Sequence, residues 1–135
     1  MIFVDSSFWI ALSDRRDGRH KQAAALLDTH HDALLVTTNH VRGETWTFLR
    51  KRHGHHAAVR FLDTTEKTAF LRIVPASEEV EQEAWSWLRR HDERAYSFVD
   101  ATSFALMRSL QIREALAFDD DFAAAGFVQL RATNF

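Results

Sequence analysis

A chain of 135 residues, 46% hydrophobic and 27% charged, has the bulk for one domain over residues 1–135 with its own core, which excludes a disordered segment or a stapled mini-protein. It has no cysteine, hence no disulfide or thiolate chemistry, and no apolar run nears the roughly 20 residues of a membrane span, so we expect a soluble, cytoplasmic protein with no membrane partner. A formal charge of −2 is not that of a passive nucleic-acid binder, although basic residues cluster at 15–16, 50–56 and 89–91.

In chain order, "IFV" (2–4) is a short β-rich run that ends on Asp5. A short helix from Ser6 follows, then a break between Asp14 and Gly18, then a helix to about Thr29. "ALLVTT" (33–38) is a second apolar run, and Asn39 is a candidate cap for "HVRGETWTFLRKR". Val41, Thr45, Phe48 and Leu49 mark the inner face of that helix. Gly54 breaks it before "HHAAVRFLDTTEK", another helix. "AFLRIVP" (69–75) is a strand stopped by the only proline. Ser77 caps a helix that carries acids in its first turn and shows Val80, Ala84, Trp87 and Leu88 on one face. "SFVDATSFALM" is helical, "EALAF" (114–118) a strand, the acids from about Asp120 start a short helix, and "FVQLR" (127–131) is the last strand. Short apolar strands alternating with helices define an α/β fold with a parallel sheet covered on both faces.

The acids of this pattern carry the chemistry. Asp5 and Asp119 each follow an apolar run, at the carboxyl end of a strand, where open α/β sheets bind ligands. Asp100 stands in the first turn of a helix built of apolar and small residues, and Glu44 about one turn into the helix after the second strand, where it can tilt inward. Each has a structural alternative: Asp5 as a helix cap, Glu44 as a solvated charge, Asp100 as half of a capping box with Ser97, and Asp119 to Asp121 as turn and cap residues. Together they form a carboxylate cluster along one sheet edge, and clustered carboxylates repel. A hard divalent cation such as Mg²⁺, which takes oxygen ligands and substrate phosphates, removes that conflict and suits phosphodiester cleavage.

The segments "FVDSSFWIAL", "TTNHVRGETWTFL", "SFVDATSFALM" and "ALAFDDDF", in this order over nearly the whole chain, resemble the PIN-domain nucleases, specifically the toxins of VapBC-type toxin–antitoxin pairs. The resemblance implies a three-layer α/β/α sandwich around a parallel sheet of about five strands in the order 3-2-1-4-5. It implies Mg²⁺- or Mn²⁺-dependent cleavage of RNA, a small VapB-like antitoxin as partner, and a homodimer. The metal-binding and catalytic acids it implies are Asp5, Glu44, Asp100 and Asp119, with Ser6 as a supporting polar group and Asp121 as an optional neighbour.

Two other functions compete with a metal-dependent nuclease. A catalytically idle RNA-binding module on the same fold would not need all four acids. A phosphatase with Asp5 as covalent nucleophile would carry a second acid two positions on, where this chain has Ser7. Among eight histidines, His40 and Glu44 share the i, i+4 spacing, but without HExxH or cysteine a zinc site is not expected, and "HGHH" (53–56) reads as a polar helix junction.

Overall fold

A computed structural model describes residues 1–133. The strands are β1 (Ile2–Val4), β2 (Leu35–Thr38), β3 (Leu71–Val74), β4 (Glu114–Leu116) and β5 (Val128–Gln129). The helices are α1 (Ser6–Ser13), α2 (His20–Thr29), α3 (Asn39–His53), α4 (His55–Lys67), α5 (Glu78–Arg90), α6 (Phe98–Ser109) and α7 (Asp121–Ala124). The five strands form one sheet in the order β3-β2-β1-β4-β5, and every pairing is parallel. The expected strand order is therefore observed.

Every residue of β1 and β2 is buried, so helices cover both faces of the sheet and make three layers. Alternation along β1 sends successive side chains to opposite faces. Phe3 faces one layer, stacked on Phe122 of α7 at 6.0 Å. Phe122 meets Phe104 of α6, which also packs edge-on against Trp87 of α5 and Tyr96. A second aromatic group joins Phe8 and Trp9 of α1 to Phe61 of α4 and to Phe118. Burial of these large rings fixes the helices on the sheet, at roughly 25 cal/mol per Å² of apolar surface removed from water.

Three local expectations are revised. Thr38, not Asn39, caps α3, because its hydroxyl accepts the Val41 N–H at 3.0 Å; Asn39 instead accepts the Ala76 N–H at 2.9 Å. The inner face of α3 is Val41, Thr45 and Leu49, while Phe48 is exposed, since the helical period carries position 48 past the core-facing stripe. The last two strands are shorter than their apolar runs: β4 stops at Leu116 and β5 spans two residues. Ser77 and Ser97 cap their helices as expected.

Strand order reverses at β1: its neighbours are β2, the next strand in the chain, and β4, which returns after four further helices and β3. The carboxyl ends of β1 and β4 thus border the topological switch point, where such sheets open a crevice. The Asp5 N–H donates to the Leu116 carbonyl at 3.0 Å and holds those two ends together.

Candidate active site

Asp5 leaves β1 as the N-cap of α1. Its side chain is 2% exposed, and Oδ2 accepts the Ser7 N–H at 3.2 Å and the Ser7 hydroxyl at 2.8 Å. The same Ser7 hydroxyl accepts the Phe118 N–H at 2.9 Å, so one side chain ties Asp5 to the segment leaving β4. Burial, then the charges of Asp119 and Asp100, push the Asp5 carboxyl up to about 8 against the opposing hydrogen bonds from Ser7. Capping and clustering thus coexist in Asp5.

Asp100 behaves likewise. It completes the capping box of α6: Oδ2 accepts the Ser97 N–H at 3.0 Å, and the Ser97 hydroxyl accepts the Asp100 N–H at 3.0 Å. Burial raises its carboxyl to about 6; Asp119 and Asp121 add to the rise and the Ser97 hydrogen bonds oppose it. A capping acid at a helix N-terminus ordinarily sits low, so desolvation and like charge outweigh the cap here. The apolar setting of Asp100 has two causes, a helix start and a carboxylate cluster.

Asp119 follows β4, and its Oδ1 accepts the Asp121 N–H at 3.1 Å, which starts α7. Its carboxyl is raised by burial first and by the Asp121 charge, while the Asp121 N–H, a hydrogen bond with Asp5 and the charge of Arg94 hold it down. The Asp119 charge also raises the Asp5 carboxyl across the switch point, the mutual effect of paired carboxylates.

Glu44 reaches the same edge by another route. It is exposed on α3 rather than tilted into the core, and its Oε1 accepts the Ser6 hydroxyl at 2.6 Å. Ser6 is buried beside Asp5, so it holds Glu44 at the rim of the crevice. Asp121 is engaged elsewhere: its Oδ1 accepts the Arg94 Nε–H at 2.8 Å. His40 does not pair with Glu44; its Nε2 lies 3.5 Å from Glu81 and its ring stands edge-on to Phe98.

Sequence reasoning placed the acids and missed two residues that organise them. Ser7 had a local signal, since a hydroxyl two residues after a capping Asp commonly turns back on it. Arg94 had none, because its contact spans 27 positions of sequence.

These side chains suit a hard divalent cation. Among the described residues no group of three acidic or histidine side chains is drawn together into a complete cation cage. Yet every donor is a carboxylate or hydroxyl oxygen, and burial with like charge holds the carboxyls of Asp5, Asp100 and Asp119 above their ordinary range, a conflict that a cation would relieve.

A parallel 3-2-1-4-5 sheet with acids at its switch point defines a class: residues 2–128 match the PIN domain, and the chain belongs to the PIN-domain family. Within the family it is 52% identical over 131 residues, 97% of this chain and 98% of the relative, to the 23S rRNA-specific endonuclease VapC20 of Mycobacterium tuberculosis. The crystal structure of that VapC20, titled a Sarcin-Ricin loop cleaving toxin, aligns with a TM-score of 0.91 at 50% identity over 97% of this chain and 99% of the other. FitAcB from Neisseria gonorrhoeae has the same fold, with a TM-score of 0.69 at 15% identity over 96% of each chain.

Proposed function

We propose that this chain is a Mg²⁺- or Mn²⁺-dependent endoribonuclease and the toxin of a toxin–antitoxin pair, acting on 23S rRNA through Asp5, Glu44, Asp100 and Asp119. The observation that carries the metal site is Asp5, a carboxyl 2% exposed and raised to about 8 by burial and by the acids facing it. Groups perturbed in this way mark functional sites. The VapC20 relative supplies the substrate class.

When bound, a divalent cation supplies Lewis-acid polarisation of a phosphate and an acidified water. The protein's own residues prepare the place for it. Ser7 fixes the Asp5 carboxylate, Ser6 fixes Glu44, the Ser97 N–H fixes Asp100 and the Asp121 N–H fixes Asp119. Each of these bonds engages one oxygen of its carboxylate and leaves the other outside this set of bonds. The substrate phosphodiester would lie across the mouth of this crevice.

We assign a VapB-like antitoxin and a second copy of the chain as protein partners, and the cytoplasm, where ribosomes are, as the site of action. Among the described residues no helix is long and apolar enough to cross a membrane. The test is incubation of purified protein with a 23S rRNA fragment carrying the sarcin–ricin loop. Cleavage with Mg²⁺ or Mn²⁺, absent in EDTA and in Asp5→Asn, is expected; full cleavage in EDTA or by the variant overturns the metal site. Co-expression with the adjacent small gene should abolish growth inhibition, and unchanged toxicity overturns the antitoxin.

A further inference from the structure

Arg15 and Arg16, two histidines of the 50–56 cluster (His53 and His56) and Arg60 belong to distant parts of the sequence but line one recess. It lies between the C-terminal end of α1, the turn after it, and the junction of α3 with α4, and it encloses about 860 Å³. Arg15, Arg16 and Arg60 line it together with His20, His53 and His56. Asp14 is the one acid in its wall, and that carboxylate is spent locally: Oδ1 accepts the Arg16 N–H at 2.9 Å and Oδ2 lies 3.2 Å from His53 Nε2. His20 is anchored through Nδ1, 3.0 Å from the Ala11 carbonyl, which leaves Nε2 free. Among the described residues, His53 with Asp14 is the recess's only ion pair, so the three guanidinium groups face solvent without an acidic partner.

We infer that this recess is a second RNA contact, one that holds backbone phosphates of the substrate away from the bond that is cut. The inference rests on the ribonuclease reading above. Three unpaired guanidinium groups on a concave wall suit the forked, bidentate recognition of phosphate oxygens. The chain's net charge of −2 and its acid-lined crevice give no general attraction for a polyanion, so the attraction has to come from a localised patch. Distance fits as well. Ser6 touches Glu44 at one end of α1, and the recess opens at the other end, after Ser13. Eight helical residues separate the two by roughly 12 Å, the reach of a few nucleotides. A folded RNA loop would span both points, with its cleaved strand at the carboxylates and a flanking strand at the arginines.

The test uses full-length protein and an RNA hairpin with the sarcin–ricin loop sequence. Binding is measured in EDTA against salt, and cleavage with Mg²⁺ or Mn²⁺. Arg15→Ala/Arg16→Ala and Arg60→Ala should each weaken binding by about tenfold or more, the effect of losing a charge-assisted contact. The slope of log Kd against log salt should fall by about 0.7–0.9 per arginine removed. In cleavage, KM should rise with kcat unchanged, Arg60→Lys should recover part of the loss, and Arg89→Ala, at an exposed position of α5, should have no effect. If wild type cuts the hairpin and the recess variants bind and cut it equally well, the inference fails and the nuclease reading stands. If wild type binds through these arginines but never cuts, the nuclease reading fails and the RNA contact stands. Recess variants that lose only an acidic protein partner, with RNA binding intact, overturn the inference in favour of a protein-docking surface.

Discussion

The two charged regions at opposite ends of α1 differ in what folding did to them. At the acidic edge, Asp5 is buried and Asp100 and Asp119 half-buried, each carboxyl raised above its ordinary range. At the basic recess, Arg15, Arg16 and Arg60 remain exposed in water. Like charges in water repel weakly and are screened by salt. Like charges removed from water repel strongly and hold protons instead. The fold therefore stores unfavourable electrostatics at one end of the helix and little at the other. The stored part is what a cation can release on binding, whereas the solvated part attracts polyanions without cost to the fold. Changes at the acidic edge should move activity and stability in opposite directions, and changes at the recess should move affinity alone.

The largest expected effect is on Asp5. Asp5→Asn should cut RNA cleavage by about 10²–10³-fold or more, since it removes a group at the reacting centre. The same change removes a buried, repelled carboxylate, so the metal-free protein should be at least as stable as wild type. Parallel cleavage assays and denaturant melts in EDTA check both halves. A variant that loses activity because it is unfolded would break the comparison.

Metal comes next. Binding to the native state alone adds RT ln(1 + [L]/Kd), about 2.7 kcal/mol at a hundredfold excess over Kd. Thermal melts should shift upward in millimolar Mg²⁺ or Mn²⁺, and the shift should shrink in Asp119→Ala. Identical melting with and without metal, at concentrations that support cleavage, would show that the edge stores nothing for a cation to release.

The pH dependence sharpens the same point. An acid whose folded pKa exceeds its unfolded one keeps its proton when the unfolded chain has lost it, so stability falls as pH rises. For Asp5 the window runs from 3.8 to about 8, and for Asp100 from 3.8 to about 6. Metal-free stability should therefore decline across that window, most steeply below about pH 6 where both contribute, and saturating Mg²⁺ should flatten the decline. Urea melts at several pH values, with and without the cation, make the measurement, and Asp5→Asn should remove the portion above pH 6.

How much of this was legible in the sequence follows from the range of the interactions. The strands, the sheet order and the acids at strand ends and helix starts were readable, because apolar runs, caps and breakers act over a few residues and the family resemblance ordered them. Thr38 displaced Asn39 as the cap of α3 because Asn39 found the Ala76 N–H, a partner 37 positions away. Glu44 was placed on the correct helix but turned to the rim, since its anchor is Ser6 of α1. The recess was visible only in part, as the separate basic runs 15–16 and 50–56, with Arg60 and His20 outside either run. Its assembly depends on α1 and α3 packing side by side, which no local pattern encodes.

The smallest effect separates the acids of "AFDDDF". Asp119 accepts the Asp121 N–H and is raised by its surroundings, whereas Asp121 accepts a hydrogen bond from Arg94 at 2.8 Å. The Arg94 side chain is 41% exposed, and such surface pairs are worth about 0–1 kcal/mol. Asp121 also adds to the upward pressure on Asp100 and Asp119, so its removal should ease both carboxyls slightly. The two contributions oppose each other, and Asp121→Ala should change metal-free stability by no more than about 1 kcal/mol. It should keep most of the cleavage, because its carboxylate is held by Arg94. Asp120, exposed and without a side-chain bond at the start of α7, should matter less still. Asp119→Ala should abolish cleavage. Cleavage assays on the three alanine variants, beside melts in EDTA, decide it: if Asp121→Ala is inactive while Asp119→Ala still cuts RNA, the fourth acid of the site has been assigned to the wrong residue.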